Sequence, residues 1–210
     1  MSSIDAVGLV TAVFLAFGLI HSLCVTGFVK ELIRKTLGDI FVKAFYRLIY
    51  TAFSAITTAG AAWLVLQIPD ITLWRAPLWP MMLMRLIQAG AFVFGALSFR
   101  AISPMEFVGV SQAWRYITKH HVAGDIEGMT GKGLVTTGVY SIVRHPLYLA
   151  GVIIFTSQPV ITRNWLAVQV LADVYFIYGA LVEEKRLLKR FGEEYRQYMK
   201  RVPRFLPRLK

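Results

Sequence analysis

Residues 6–29 carry no formal charge, and His21 is their one titratable imidazole. A stretch of that length spans a bilayer, which needs about 20 residues as a helix. Comparable apolar runs recur along the chain. One extends from about Leu48 to Ile68 and ends at Pro69-Asp70. Another covers about Pro80 to Ser98, with Arg85 inside one end and Arg100 closing the other. A fourth starts at His145-Pro146 and reaches roughly Ile161, with Pro159 near its far end. The fifth runs from Trp165 to Val182, with Asp173 in its middle. The turn Thr162-Arg163-Asn164 is short, so the last two runs are expected to form an antiparallel helical hairpin. The expected fold is therefore all-α, a polytopic integral-membrane helical bundle of about five transmembrane helices. At 210 residues it reads as one domain, with the first three spans in 1–103 and the remainder in 104–210.

Composition enters through charge. Hydrophobic residues make up 56% of the chain, and the mean hydropathy of +0.56 is too apolar for an ordinary soluble domain. A net charge of +11 accompanies that bulk. Apolar runs of this kind favour anionic lipid over nucleic acid as the partner. The basic residues also sort by side. Lys30, Arg34, Lys35, Lys43 and Arg47 follow the first run, and Arg100, Arg115, Lys119, Lys132 and Arg144 follow the third. With the basic C-terminal tail they make twenty, against Arg75 and Arg163 in the opposite loops. The positive-inside rule then puts the N-terminus outside and the C-terminus in the cytoplasm. The N-terminus lacks a basic leader region and an obvious small-residue cleavage site, so the first run is expected to be retained. Two cytoplasmic stretches look interfacial. Phe107, Val110, Trp114 and Ile117 recur at helical spacing in 107–118, and Leu188, Phe191, Tyr195, Met199 and Val202 do so in 187–202. Both have basic polar faces, as expected for helices lying on anionic lipid.

Two stretches carry chemistry. In 138–151, Arg144 and His145 directly precede Pro146, and proline is favoured at the first position of a helix. A cationic pair and free backbone N–H groups thus meet at a helix start, where anionic groups are attracted. The alternative without a ligand is a capped membrane helix with snorkelling Arg144 and Tyr148. The second stretch is Glu183-Glu184-Lys185-Arg186, at the end of the last apolar run. Glu183 can pair with Arg186. Glu184 has Ala180, Leu181, Leu187 and Leu188 at neighbouring helical positions, and so has no cation there. A carboxylate at the end of a membrane span needs water or a partner. Either Glu184 snorkels, or Arg144, His145 or a cationic ligand meets it.

Other chemistries find no support. Gly131-Lys132 is followed by Gly133, and Ile126 occupies the position where a phosphate loop needs its first glycine. There is no dinucleotide fingerprint after a strand and no Gly-x-Ser-x-Gly elbow. Cys24 is the single cysteine, which excludes an intrachain disulfide and a multi-cysteine metal site. His120-His121 point two ways on a helix and chelate poorly, so no metal site is expected.

The combination of motifs resembles a known family. Gly138-Val139-Tyr140, Arg144-His145-Pro146-Leu147-Tyr148, Gly151, Glu183-Glu184, Phe191-Gly192-Glu193-Glu194-Tyr195 and Pro203…Pro207 are similar to the isoprenylcysteine carboxyl methyltransferase superfamily. These are integral-membrane enzymes that use S-adenosylmethionine, with phospholipid methyltransferases among their relatives. In the N-terminal half, Phe17…His21-Ser22 and Phe107-x-Gly109-x-x-Gln112-x-Trp114 resemble the methanethiol S-methyltransferases and NnrU-like proteins. The resemblance implies a membrane methyltransferase whose cofactor-binding core lies in 104–210. It implies that Tyr140, Arg144, His145, Pro146, Leu147, Tyr148, Gly151, Glu183 and Glu184 bind the cofactor. Glu183 and Glu184 would take its ammonium or ribose, Arg144 its carboxylate, and Tyr140, Leu147 and Tyr148 would wall the adenine. Arg144, Glu184 and His21 are the catalytic candidates, and His21, Ser22, Gln112 and Trp114 the acceptor-side ones.

The acceptor is expected to be small or lipophilic, either a thiol or a prenylcysteine carboxylate. A thiol is mostly protonated at neutral pH, so His21 would serve as base; otherwise His21 only hydrogen-bonds a neighbouring helix. Membrane sterol reductases offer a rival of similar architecture. They bind a nicotinamide cofactor and resemble Arg-His-x-Asn-Tyr where this chain has Arg144-His145-Pro146-Leu147-Tyr148. A non-enzymatic membrane haem or scaffold protein using His21 and His145 is the third class.

Overall fold

The structure is a computed structural model that describes residues 2–101, 103–119 and 133–206. His120-His121 and the glycines at 124, 128 and 131 lie outside the described residues. Among the described residues the elements are helices, apart from one two-stranded ribbon. Its helices are α1 (Ser3–Val25), α2 (Gly27–Leu37), α3 (Asp39–Phe41), α4 (Arg47–Gln67), α5 (Leu78–Leu97), α6 (Pro104–Val108), α7 (Val110–Lys119), α8 (Pro146–Thr156), α9 (Arg163–Phe191) and α10 (Glu193–Arg201). A π-helical turn, Val42–Tyr46, joins α3 to α4. Strands β1 (Thr72–Arg75) and β2 (Val160–Thr162) pair antiparallel.

Among the described residues, four helical segments are long and apolar enough to cross a membrane: Ser3–Val25, Asp39–Gln67, Leu78–Arg100 and Arg163–Phe191. The fifth apolar run gives only the 11 residues of α8. At 1.5 Å per residue that is about 16 Å, roughly half the hydrocarbon thickness. Pro159 stops the helix early, because proline cannot extend the ladder. The chain turns instead into β2, and the Pro159 carbonyl accepts from Ala76 N at 2.7 Å.

Chain contacts sort into two compact units. The first comprises Met1–Val7, Pro69–Ala101 and Leu134–Lys210. Here α8 is packed on both sides. A Cβ at Gly95 of α5 would lie 3.0 Å from Ala150 Cβ, and one at Gly151 would lie 2.9 Å from the Phe176 ring of α9. Small residues let these backbones approach closely, the usual device where lipid removes the hydrophobic incentive to associate. Gln88 of α5 donates to the Ile154 carbonyl at 3.0 Å. The pairs Gly179/Tyr148, Gly151/Phe176 and Phe155/Trp165 run in opposite directions along α8 and α9, so the expected hairpin is present. Its closed end is held by polar contacts. Asp70 Oδ1 accepts from Asn164 N at 3.0 Å, Arg163 N donates to the Ile71 carbonyl, and the Arg163 guanidinium reaches the Pro69 carbonyl.

The second unit comprises Gly8–Ile68 and Ile102–Gly133. Its interfacial stretch is two helices, because Gly109 breaks 107–118 with a left-handed φ of 94°. On α7 the apolar face remains outward, with Trp114 65% and Ile117 61% exposed. Helix α2 was not anticipated. Thr26 caps it by accepting from Val29 N, and its exposed Phe28 and Leu32 lie four residues apart. In the first unit, Gly192 likewise interrupts 187–202 at φ 54°. Tyr195, Tyr198 and Val202 are all buried, so this face packs on protein and not on lipid.

Candidate functional site

The site grows from one carboxylate. Glu184 lies in the last turns of α9 and is 4% exposed. Its Oε1 accepts from Arg144 Nε at 3.0 Å, Arg144 Nη2 at 2.6 Å and Arg204 Nε at 3.0 Å, with His145 Nε2 at 3.2 Å. Its Oε2 accepts from Arg204 Nη2 at 2.6 Å. The two sequence alternatives for Glu184 are thereby decided in favour of a distant partner. Arg144 and His145 both meet it, from the loop that opens α8. Arg204 is a third partner that the sequence reading did not single out. Ten basic residues follow the last apolar run, and charge alone does not separate Arg204 from the rest; its place between Pro203 and Phe205 in the terminal motif is the one available signal.

The remaining polar groups tie the C-terminal tail to the same loop. Arg144 Nη1 donates to the carbonyls of Met199 and Val202 at 3.1 and 2.6 Å. Arg144 N donates to the Pro203 carbonyl at 2.9 Å, and His145 N to the Arg204 carbonyl at 3.3 Å. Tyr198 donates its hydroxyl to the Tyr140 carbonyl at 2.6 Å. The Phe205 ring lies 5.9 Å from His145. Helix α10 is therefore a strap across the 138–145 loop. Burial raises the Tyr198 and Tyr195 phenols well above their usual value. Burial, together with the nearby Glu183 charge, pushes Tyr140 up to about 12. All three phenols therefore remain protonated donors at physiological pH.

Other expected residues line up around this network. The Glu183 side chain is 44% exposed, with Oε2 3.6 Å from His145 Nδ1. Tyr148 of α8 stands edge-on to His145, its ring centroid 5.6 Å away. Pro146 is the first residue of α8, and the His145 side chain makes no capping bond there, so this helix start is not closed by its own N-cap. Leu147 is half-buried, and Gly151 faces Phe176. The Tyr195 hydroxyl is buried without a partner among the described residues.

The acceptor-side candidates belong to the other unit. Tyr50 brings its hydroxyl to His21 Nε2 at 2.8 Å, so His21 does bond a neighbouring helix. Ser22 is exposed on α1. Gln112 is 7% exposed and donates to the Glu106 carbonyl at 3.0 Å. Its Oε1 is buried without a partner among the described residues. Arg115 pairs with Glu106 at 3.1 Å. Trp114 points outward from the same helix.

Comparison with known proteins gives a consistent picture. The pattern of the family described as phospholipid methyltransferase matches residues 92–194. Methanethiol S-methyltransferase 1 of Bradyrhizobium diazoefficiens is 34% identical over 106 residues, which is 50% of this chain and 35% of that protein. Methanethiol S-methyltransferase of Pseudomonas deceptionensis is 35% identical over 109 residues, 52% of this chain and 39% of that protein. A nickel-cobalt-cadmium resistance protein of Alcaligenes xylosoxydans xylosoxydans is 36% identical over 86 residues, 40% of each chain. This chain thus spans 40% or less of these relatives' length. No solved structure matches it. The resemblance in the sequence is borne out: residues 92–194, which hold Tyr140, Arg144, His145, Glu183 and Glu184, match the pattern of the family described as phospholipid methyltransferase.

Proposed function

We propose that this chain is an integral-membrane methyltransferase that uses S-adenosylmethionine and acts at the cytoplasmic face on a small or lipophilic acceptor. The observation that carries the reading is the buried Glu184 network, which fixes the loop before α8 beside the exposed Glu183. The groups left accessible there suit a zwitterionic ligand that also bears hydroxyls. Glu183, with its side chain 44% exposed beside His145, is an acceptor for an ammonium or ribose hydroxyls. The uncapped start of α8 favours an anion. Tyr140, Leu147 and Tyr148 offer apolar and aromatic surface for a base. In this reading Arg144, His145 and Glu184 hold the geometry, while Gly151 lets α8 sit against α9.

When bound, the cofactor supplies an electrophilic methyl group. The chain's own part is to align the acceptor, exclude water and, for a protonated acceptor, take its proton. The names of the methanethiol S-methyltransferases support a small thiol. The His21–Tyr50 pair, with Ser22, Gln112 and Trp114, is the proposed acceptor side, and His21 the proposed base.

The decisive experiment is calorimetry on the full chain in detergent. S-adenosylhomocysteine is expected to bind with micromolar-order affinity, and reduced nicotinamide cofactor not to bind; the reverse result sinks the reading. Membranes incubated with methyl-labelled cofactor are then expected to label methanethiol and not farnesylated cysteine. The orientation rests on the twenty-to-two charge asymmetry. Cysteines placed at Ser3 and Lys210 in a Cys24→Ala background are expected to react from outside intact cells only at Ser3.

A further inference from the structure

The cations on Glu184 differ in what they have left to give. The Arg144 side chain is 7% exposed. It uses Nε and Nη2 on Glu184 and Nη1 on two carbonyls, so it is consumed inside the protein. The Arg204 side chain is 36% exposed. It lays only Nε and Nη2 against Glu184, and among the described residues its Nη1 makes no hydrogen bond. Its main chain is pinned too, through the bonds from Arg144 N to the Pro203 carbonyl and from His145 N to its own carbonyl. Arg204 is thus a guanidinium oriented along one edge on Glu184 and open along the other, at the more exposed side of the network.

We propose that Arg204 is an anion-binding residue of this site, taking the carboxylate of the ligand's amino-acid moiety with the edge that Glu184 leaves free. This rests on the methyl-donor reading above and moves the carboxylate contact from Arg144 to Arg204. A guanidinium presents its donors as a planar fork matched to a carboxylate. Clamping one edge on Glu184 fixes that fork before the ligand arrives, which lowers the ordering cost of binding. Arg204 lies beyond the matched family segment, which ends at residue 194.

The test compares S-adenosylhomocysteine with its carboxamide, in which only the carboxylate is neutralised. Calorimetry is run on the full wild-type chain, Arg204→Gln and Arg204→Lys. Wild type is expected to prefer the acid by about 10- to 100-fold, the range for a charge-assisted hydrogen bond. Arg204→Gln is expected to erase that preference, and Arg204→Lys to retain part of it. Equal weakening of both ligands in Arg204→Gln, with the preference intact, overturns the proposal and leaves Arg204 a purely structural partner of Glu184. Should Arg204→Gln not fold, Arg204→Lys decides: a preference reduced several-fold supports the role, and an unchanged one overturns it. A wild-type chain that binds the acid without preferring it to the amide removes the Arg204 role alone. A wild-type chain that binds neither removes the methyl-donor reading as well.

Discussion

Glu184→Gln is expected to cost the protein about 3–5 kcal/mol of stability, the range for breaking a buried ion pair from one side. The change keeps the shape and removes the charge. Arg144 and Arg204 would then share one neutral carbonyl oxygen, while the new amide hydrogens face guanidinium groups that have nothing to accept them. The Arg144 side chain is 7% exposed, so its charge would stay buried without compensation. The loss would spread, because the same Arg144 holds the Met199 and Val202 carbonyls. Thermal unfolding in detergent should show a large fall in Tm. Glu183→Gln provides the contrast. Its side chain is 44% exposed, so stability should barely change, while S-adenosylhomocysteine binding should weaken by about 1–3 kcal/mol. A Tm loss in Glu183→Gln as large as that in Glu184→Gln would refute this division of labour.

That division could be read only in part from the sequence. Glu184 was visible as a carboxylate without a helical neighbour, which is a statement about spacing and the cost of charge near lipid. Such a residue has to find something, and the Arg144-His145 pair was the obvious supply. The geometry that makes Arg144 an interior cation and Arg204 the outer one depends on how α10 folds back. That depends in turn on Gly192, where a positive φ lets α9 end and α10 turn across the 138–145 loop. Helical spacing continues through Gly192, so periodicity alone suggested one interfacial helix with an apolar face toward lipid. Tyr195 at 1% and Tyr198 at 3% exposure lie on that face and are core residues.

The spans were legible for a simple reason: long uncharged runs have one cheap solution in a bilayer. Their ends were less so. The fourth run is apolar to Ile161, yet α8 stops at Thr156 and the rest becomes β2. Hydropathy cannot distinguish a helical turn from a strand in so short a piece. The pairing partner, Thr72–Arg75, is nearly 90 residues away in sequence, and its exposed pattern has no alternation to mark it as a strand. Helix α2 is 11 residues of mixed polarity, too short and too polar to be marked by hydropathy as a membrane span.

Gly109 makes the last and most local prediction. It sits between α6 and α7 with φ at 94°, a conformation that costs a residue with a side chain about 1–3 kcal/mol. Space is the second problem. A Cβ there would meet the Leu48 backbone nitrogen, with Arg47 C at 2.8 Å and Leu48 Cα at 2.9 Å. These are main-chain atoms of α4, and they cannot rotate aside as a side chain would. The close approach is what allows Arg47 Nε to donate to the Phe107 carbonyl at 2.8 Å, with its guanidinium 5.9 Å from the Phe107 ring. Forcing atoms into such a contact adds about 1–3 kcal/mol of overpacking. Gly109→Ala is therefore expected to lower stability by about 2–6 kcal/mol, summing strain and overpacking. Ala113→Gly on the next helix, which weakens the helix and removes one buried methyl, serves as the comparison at about 2 kcal/mol. Thermal unfolding of both variants in detergent checks the ranking. If Gly109→Ala melts within a degree or two of the parent chain, α6 and α7 are not docked on α4 through this glycine, and the Arg47–Phe107 contact would have to be replaced by another arrangement.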